Sequence, residues 1–169
     1  MVAMLAITRQ FCLVDTQRER CTGTHTFRWR YSKDARGSGG SDCIWVDHIE
    51  WTPPSQGGGN NLDEYVDSLL TYTTGGDADW QGDLTTYFYD QDSARNGDIE
   101  DSEESWMQTT VEDGGTFSFY WKVSSESGYD WLDFYIDAVR QARISGSTNW
   151  DLRGDSHPFL RLTRAGPGR

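Results

Sequence analysis

Two runs of alternating apolar side chains, separated by a cluster of turn formers, limit what this chain can fold into more than any other feature. Phe117, Phe119, Trp121 and Val123 fall on every second position, and so do Leu132, Phe134, Ile136 and Ala138. A period of two belongs to a β-strand with one buried face, so both sets are expected to face one core. Ser124, Ser125, Glu126, Ser127 and Gly128 lie between the runs. These residues favour chain reversal, which predicts an antiparallel hairpin. Its other face carries Ser118, Tyr120, Lys122, Trp131, Asp133, Tyr135 and Asp137, so that rings alternate with hydrogen-bonding groups. That face is a candidate contact surface.

The pattern has an earlier echo. Phe27, Trp29 and Tyr31 alternate with Thr26, Arg28 and Arg30, a turn signal rich in Gly and Ser covers residues 32–42, and residues 44–51 resume as a strand. In that strand Trp45, Asp47, Ile49 and Trp51 are expected on one side and Ile44 and Val46 on the other, so that both faces are covered. A pseudo-repeat inside one sandwich accounts for the echo, because two strand pairs facing a shared core need the same placement of rings and turns. Further strands are expected at residues 70–74, 85–89, 106–111 and 141–144, with a helical turn around Val66, Leu69 and Leu70. The many Tyr, Trp, Phe, Thr and Gly favour an all-β, single-domain protein. The expected division is an ill-defined leader at 1–21, a β-sandwich at 22–150 and a disordered basic tail at 151–169. Within the sandwich, residues 22–52 form one hairpin, 53–63 a Pro/Gly linker and 64–150 the remainder.

Charge narrows the function. The net charge of -12 argues against nucleic acid, whose affinity for proteins comes from Lys and Arg clusters. Between Asp63 and Asp137 there are 19 Asp and Glu against only Arg95 and Lys122, while the other 13 of the 15 basic residues lie outside that block. Such an acidic block either holds Ca²⁺ through carboxylate oxygens or keeps a secreted protein soluble. No apolar run approaches the roughly 20 residues that span a bilayer. The apolar opening residues are interrupted by Arg9, with no small-residue cleavage site after them, so no clear signal peptide is read in this chain. Cys12, Cys21 and Cys43 cannot all pair within one chain.

Several stretches together resemble a known module. Residues 24–34 with Gly40, Ser41, Asp42, Trp45, Val46 and Asp47 resemble the closing half of a jelly-roll repeat of large secreted bacterial surface proteins. These repeats are akin to the MAM-like, concanavalin-like modules of immune-inhibitor-type peptidases. Residues 93–99, 105–107, 114–126 and 134–137 resemble the opening half of the repeat. The matches span about residues 22–150, and the closing half comes first. The chain therefore looks like a window across two repeats, which a circularly permuted single sandwich would close. The resemblance implies an antiparallel jelly-roll β-sandwich, non-catalytic, used in adhesion, glycan contact or spacing, and it brings no agreed functional residues with it.

Several residue sets invite a chemical reading. Asp92, Asn96, Gly97, Ile99 and Glu103 occupy positions 1, 5, 6, 8 and 12 of an EF-hand loop, but Ala94 fails position 3 and the preceding residues read as strand rather than helix. A looser Ca²⁺ site, with Asp92, Asp98 and Asp101 as ligands beside Asp90, stands against a merely solvated acidic loop. Asp98, Glu100 and Glu103 resemble the carboxylate set of sandwich-fold glycosidases, with a different order of Asp and Glu and no second motif. Cys21, His25, Cys43 and His48 lack the usual zinc spacing. No Gly-x-Ser-x-Gly elbow occurs.

The expectation is therefore a non-catalytic binding or spacer module of a secreted or cell-surface protein. It would contact carbohydrate or a surface protein through Tyr120, Trp131, Asp133 and Tyr135, with no nucleic-acid partner and no membrane insertion. The rival reading is a fragment of a secreted hydrolase, either a carboxylate glycosidase or an accessory domain of a peptidase.

Overall fold

The computed structural model describes residues 9–10, 24–52, 61–112 and 116–153. Alternation in the sequence becomes strand wherever the apolar set can reach one core. The strands are β1 (Arg9–Gln10), β2 (Thr24–Ser32), β3 (Cys43–Thr52), β4 (Tyr72–Gly76), β5 (Gln81–Asp83), β6 (Ser93–Arg95), β7 (Glu104–Glu112), β8 (Thr116–Ser124), β9 (Trp131–Ile136), β10 (Val139–Ile144) and β11 (Asp151–Arg153), with one short helix, α1 (Asn61–Tyr65). Two antiparallel sheets form a sandwich, an architecture compatible with a jelly roll. One sheet has the order β1-β8-β3-β6-β5, with β11 also paired to β8, and the other has the order β10-β9-β2-β7-β4. No helix among the described residues is long and apolar enough to cross a membrane.

Both expected hairpins are arches. Strand β2 pairs with β7 and β9, and β3 pairs with β6 and β8, so β2 and β3 lie in opposite sheets. Strands β8 and β9 are likewise split between the sheets. Each arch finds its partners in the other: Phe27, Trp29 and Tyr31 register with Ile136, Phe134 and Leu132, while Ile44 and Val46 register with Val123 and Trp121. The sequence echo is therefore a repeat of arches. Alternation could not distinguish the two forms, because a strand buries the same face whether its successor lies beside it or across the core.

The core is continuous between the sheets. Phe27 stacks on Phe117 with ring centroids 4.1 Å apart, and Trp29 meets Phe119 edge-on at 5.2 Å and Phe134 at 5.4 Å. The residues of the early arch thus share a core with Phe117, Phe119 and Phe134. The two arch loops also pack together: the Asp34 N–H donates to Asp130 Oδ1 at 3.1 Å, and the Ser41 N–H to Ser124 Oγ at 2.9 Å. Gly39 permits this approach, since a Cβ there would lie 2.7 Å from the Cα of Glu126.

Four further expectations change. A bulge in β3 between Asp47 and Glu50, with His48 at φ 48°, inserts a residue and reverses the alternation. Ile49 and Trp51 thereby join Ile44 and Val46 on the core side, while Trp45 and Asp47 stay on the outer face. Ala138 is exposed at φ 63° in the turn between β9 and β10, so it adds nothing to the core. Residues 85–89 form bends and one bridge, Tyr89 to Asp92, instead of a strand. Arg9–Gln10 of the supposed leader and Asp151–Arg153 of the supposed tail both pair with β8. Residues 53–60 of the expected linker, the turn at 113–115, and Cys12 and Cys21 lie outside the described residues, and Asn61, Leu62 and Asp63 of that linker open α1 instead.

Candidate functional site

The outer face of the five-stranded sheet brings together the outward residues of β2, β7 and β9. Register places Gln108, Arg28 and Tyr135 in one row and Trp106, Arg30 and Asp133 in the next. Each ring carries a guanidinium: Arg28 lies 4.6 Å from the centre of Trp106, Arg30 5.1 Å from Tyr135 and Arg143 4.1 Å from Trp131. Gly75 on the edge strand makes room for Trp106, because a Cβ there would sit 2.5 Å from the indole. Asp133 points outward yet is 0 % exposed. Arg143 covers it with bonds of 2.9 and 3.1 Å, and Arg30 and Arg140 approach to 3.4 and 3.6 Å.

Along this face runs an open groove of about 510 Å³ lined by Thr26, Arg28, Arg30, Gln108, Tyr135, Asp137 and Ala138. Arg30 donates to the Tyr135 hydroxyl at 2.6 Å and fixes the ring. Arg28 donates from Nε to Gln108 Oε1 at 2.8 Å and from Nη2 to the same oxygen. At the far end, His25 Nδ1 lies 2.8 Å from Asp137 Oδ2, and the Thr26 N–H donates to Asp137 Oδ1 at 2.9 Å. Partial burial works to raise the pKa of Asp137, but these two hydrogen bonds outweigh it and hold the carboxyl below its ordinary range.

The expected contact residues do not share a face. Trp131, Asp133 and Tyr135 lie on the outer face of the five-stranded sheet, whereas Tyr120 on β8 lies on the outer face of the other sheet. Tyr120 is only 6 % exposed, stacked against Phe88 at 3.6 Å. The split follows from the arch, which sends β8 and β9 to opposite sides of the core. Trp131 is half-buried under Arg143 and lies outside the groove lining. Arg28, Arg30 and Gln108 are the groove residues that sequence reasoning passed over. Their signal was the polar alternation within β2 and β7.

The expected Ca²⁺ ligands are not brought together. Asp98 pairs with Arg95 at 3.3 Å, Asp101 approaches Lys33 at 3.6 Å, and Asp92 lies beside neither. No group of three His, Cys, Asp or Glu among the described residues is placed to hold a metal ion. The EF-hand-like segment is built into the sandwich: Asn96 Oδ1 accepts the Ile44 N–H at 2.7 Å, and Ile99 joins the core. In the glycosidase-like triplet, Glu103 Oε2 accepts the Glu100 N–H at 2.8 Å and closes its own turn. Of the zinc candidates, His25 bonds Asp137 and Cys43 accepts from Arg95 at 3.3 Å.

A second polar cluster sits under the loop of residues 84–92, whose Leu84, Tyr87, Phe88 and Tyr89 are exposed. Asp47 is 0 % exposed. Its Oδ2 accepts the N–H groups of Phe88 at 2.6 Å and Tyr89 at 2.9 Å, while its Oδ1 has no hydrogen-bond partner. Burial pushes the Asp47 carboxyl up to about 6 despite those bonds. Asp67 lies within hydrogen-bonding reach of Asp47, and burial raises it too, against the pull of His48.

The chain matches no protein-family model, no curated protein and no solved structure.

Proposed function

We propose that this chain is a non-catalytic carbohydrate-binding module of a secreted or cell-surface protein, with the groove on the five-stranded sheet as its ligand surface. The groove itself carries this reading. About 510 Å³ lies open along a rigid sheet, with the Tyr135 ring, two guanidinium groups, the Gln108 amide and the Asp137 carboxylate around it. A sugar presents an apolar ring face and a rim of hydroxyls, and this lining offers a ring beside donors and acceptors. The arginines cover part of the aromatic surface, so polar contacts dominate over stacking. The resemblance to MAM-like jelly-roll repeats points the same way, toward adhesion and not turnover.

The test is an oligosaccharide array with the purified chain, followed by titration of any ligand found. Tyr135→Ala should weaken binding by about tenfold or more, while Tyr129→Ala, at an exposed position outside the groove, should not. If no oligosaccharide binds, or if Tyr135→Ala binds as the parent does, the groove is not a sugar site.

A further inference from the structure

We infer that the groove selects a carboxylated sugar, a uronic acid residue within a glycan, and that Arg28 is the residue that recognises its carboxylate. This rests on the glycan reading above. Arg28 differs from the other cations of its face. Arg30 has Glu104 and Asp133 as partners, and Arg140 and Arg143 have Asp133. Arg28 has no carboxylate partner among the described residues. Its hydrogen bonds go to the neutral Gln108 amide, and its flat face lies over Trp106. In a chain of net charge -12, carboxylates are abundant, yet among the described residues none forms an ion pair with this half-buried cation.

The surroundings prepare Arg28 for an anion. Gln108 and Trp106 hold the guanidinium in place, so little side-chain freedom is lost when a ligand arrives. A planar carboxylate is its natural complement, and a charge-assisted hydrogen bond there is stronger than a neutral one. Asp137 has the opposite sign but lies in the neighbouring row with Thr26, one step of two residues along the strand, about 7 Å away. That distance suits one pyranose ring: a carboxylate against Arg28 at one end and a hydroxyl donating to Asp137 at the other. A sugar with both groups matches the polarity of the groove. An acidic peptide supplies the anion without the hydroxyls.

The test uses the full chain and four probes: the trimers of galacturonate and of glucuronate, the methyl ester of whichever binds better, and triglutamate. Titrations followed by NMR at low and high salt give the affinities. We expect a uronate trimer to bind at least about tenfold more tightly than its ester, with a preference that shrinks as salt rises. Arg28→Gln should weaken binding of the acid by about tenfold or more and bring it level with that of the ester, and Arg28→Lys should keep part of the preference. If Arg28→Gln fails to fold, the Lys variant decides, since it keeps the charge and loses the planar fork. Equal affinity for acid and ester overturns the inference and leaves the glycan reading standing. Binding of triglutamate as tight as that of the uronates overturns the sugar assignment. Binding of none of the four probes overturns the inference, and the oligosaccharide array then judges the broader reading separately.

Discussion

Replacing Asp47 by Asn should stabilise this protein at pH 8, although it removes a charge from a residue that accepts two backbone hydrogen bonds. Asp47 is wholly buried, and its carboxyl titrates at about 6 in the folded chain against an ordinary value of 3.8. The difference, about two pKa units at 1.36 kcal/mol each, is about 3 kcal/mol. The folded chain binds this proton more tightly than the unfolded chain does. The contribution is therefore fully present below pH 3.8 and is lost as pH rises through 6. In the Asp47→Asn variant the amide oxygen can still accept the N–H groups of Phe88 and Tyr89, and the amide nitrogen can donate toward Asp67, as the proton of a neutral Asp47 would. Urea unfolding, followed by tryptophan fluorescence in EDTA at intervals from about pH 4.5 to 8, measures the effect. The parent should lose about 2 kcal/mol across that range through this group, and the variant should show a correspondingly flatter profile. At pH 8 the variant should be the more stable by a similar amount. A variant less stable than the parent at pH 8, or one that keeps the parent's pH slope, refutes the reasoning, because ionised Asp47 would then be a favoured charge instead of a tolerated one.

Trp29→Ala should destabilise by about 3 to 5 kcal/mol in denaturant melts, because the indole is fully buried among Phe117, Phe119 and Phe134. A loss below about 1 kcal/mol would mean that the rings do not form one packed core. A fragment that begins at Asn61 should show no cooperative melt by circular dichroism, since it lacks β2 and β3, which lie inside the two sheets and are flanked on both sides. A fragment that melts like the whole chain would separate the two blocks. Added Ca²⁺ should leave the melting temperature unchanged, because Asp92, Asp98 and Asp101 do not converge. A large rise at micromolar Ca²⁺ would establish a site that the described side chains do not form by themselves.

Most of what depends on a strand burying one face was legible in the order of the residues. The alternation of Phe27, Trp29 and Tyr31, and of Phe117, Phe119, Trp121 and Val123, specifies an all-β chain and names most of its core, because a period of two leaves those side chains no other way to leave water together. It also showed Arg28 and Arg30 on the polar face of their strand. Which strand lies beside which was settled only by packing. The turn of residues 125–130 can close a hairpin or carry the chain across the core, and the second outcome prevails because β8 pairs with β3 and β9 pairs with β2. That choice placed Tyr120 and Tyr135 on opposite sides of the sandwich and dissolved the contact face expected from a hairpin. The bulge at His48 was equally hidden, for one inserted residue reverses every side chain after it without changing the composition of the strand. The groove depends on the same pairing: Arg28, Gln108 and Tyr135 are far apart in sequence and become one row only when β7, β2 and β9 lie side by side.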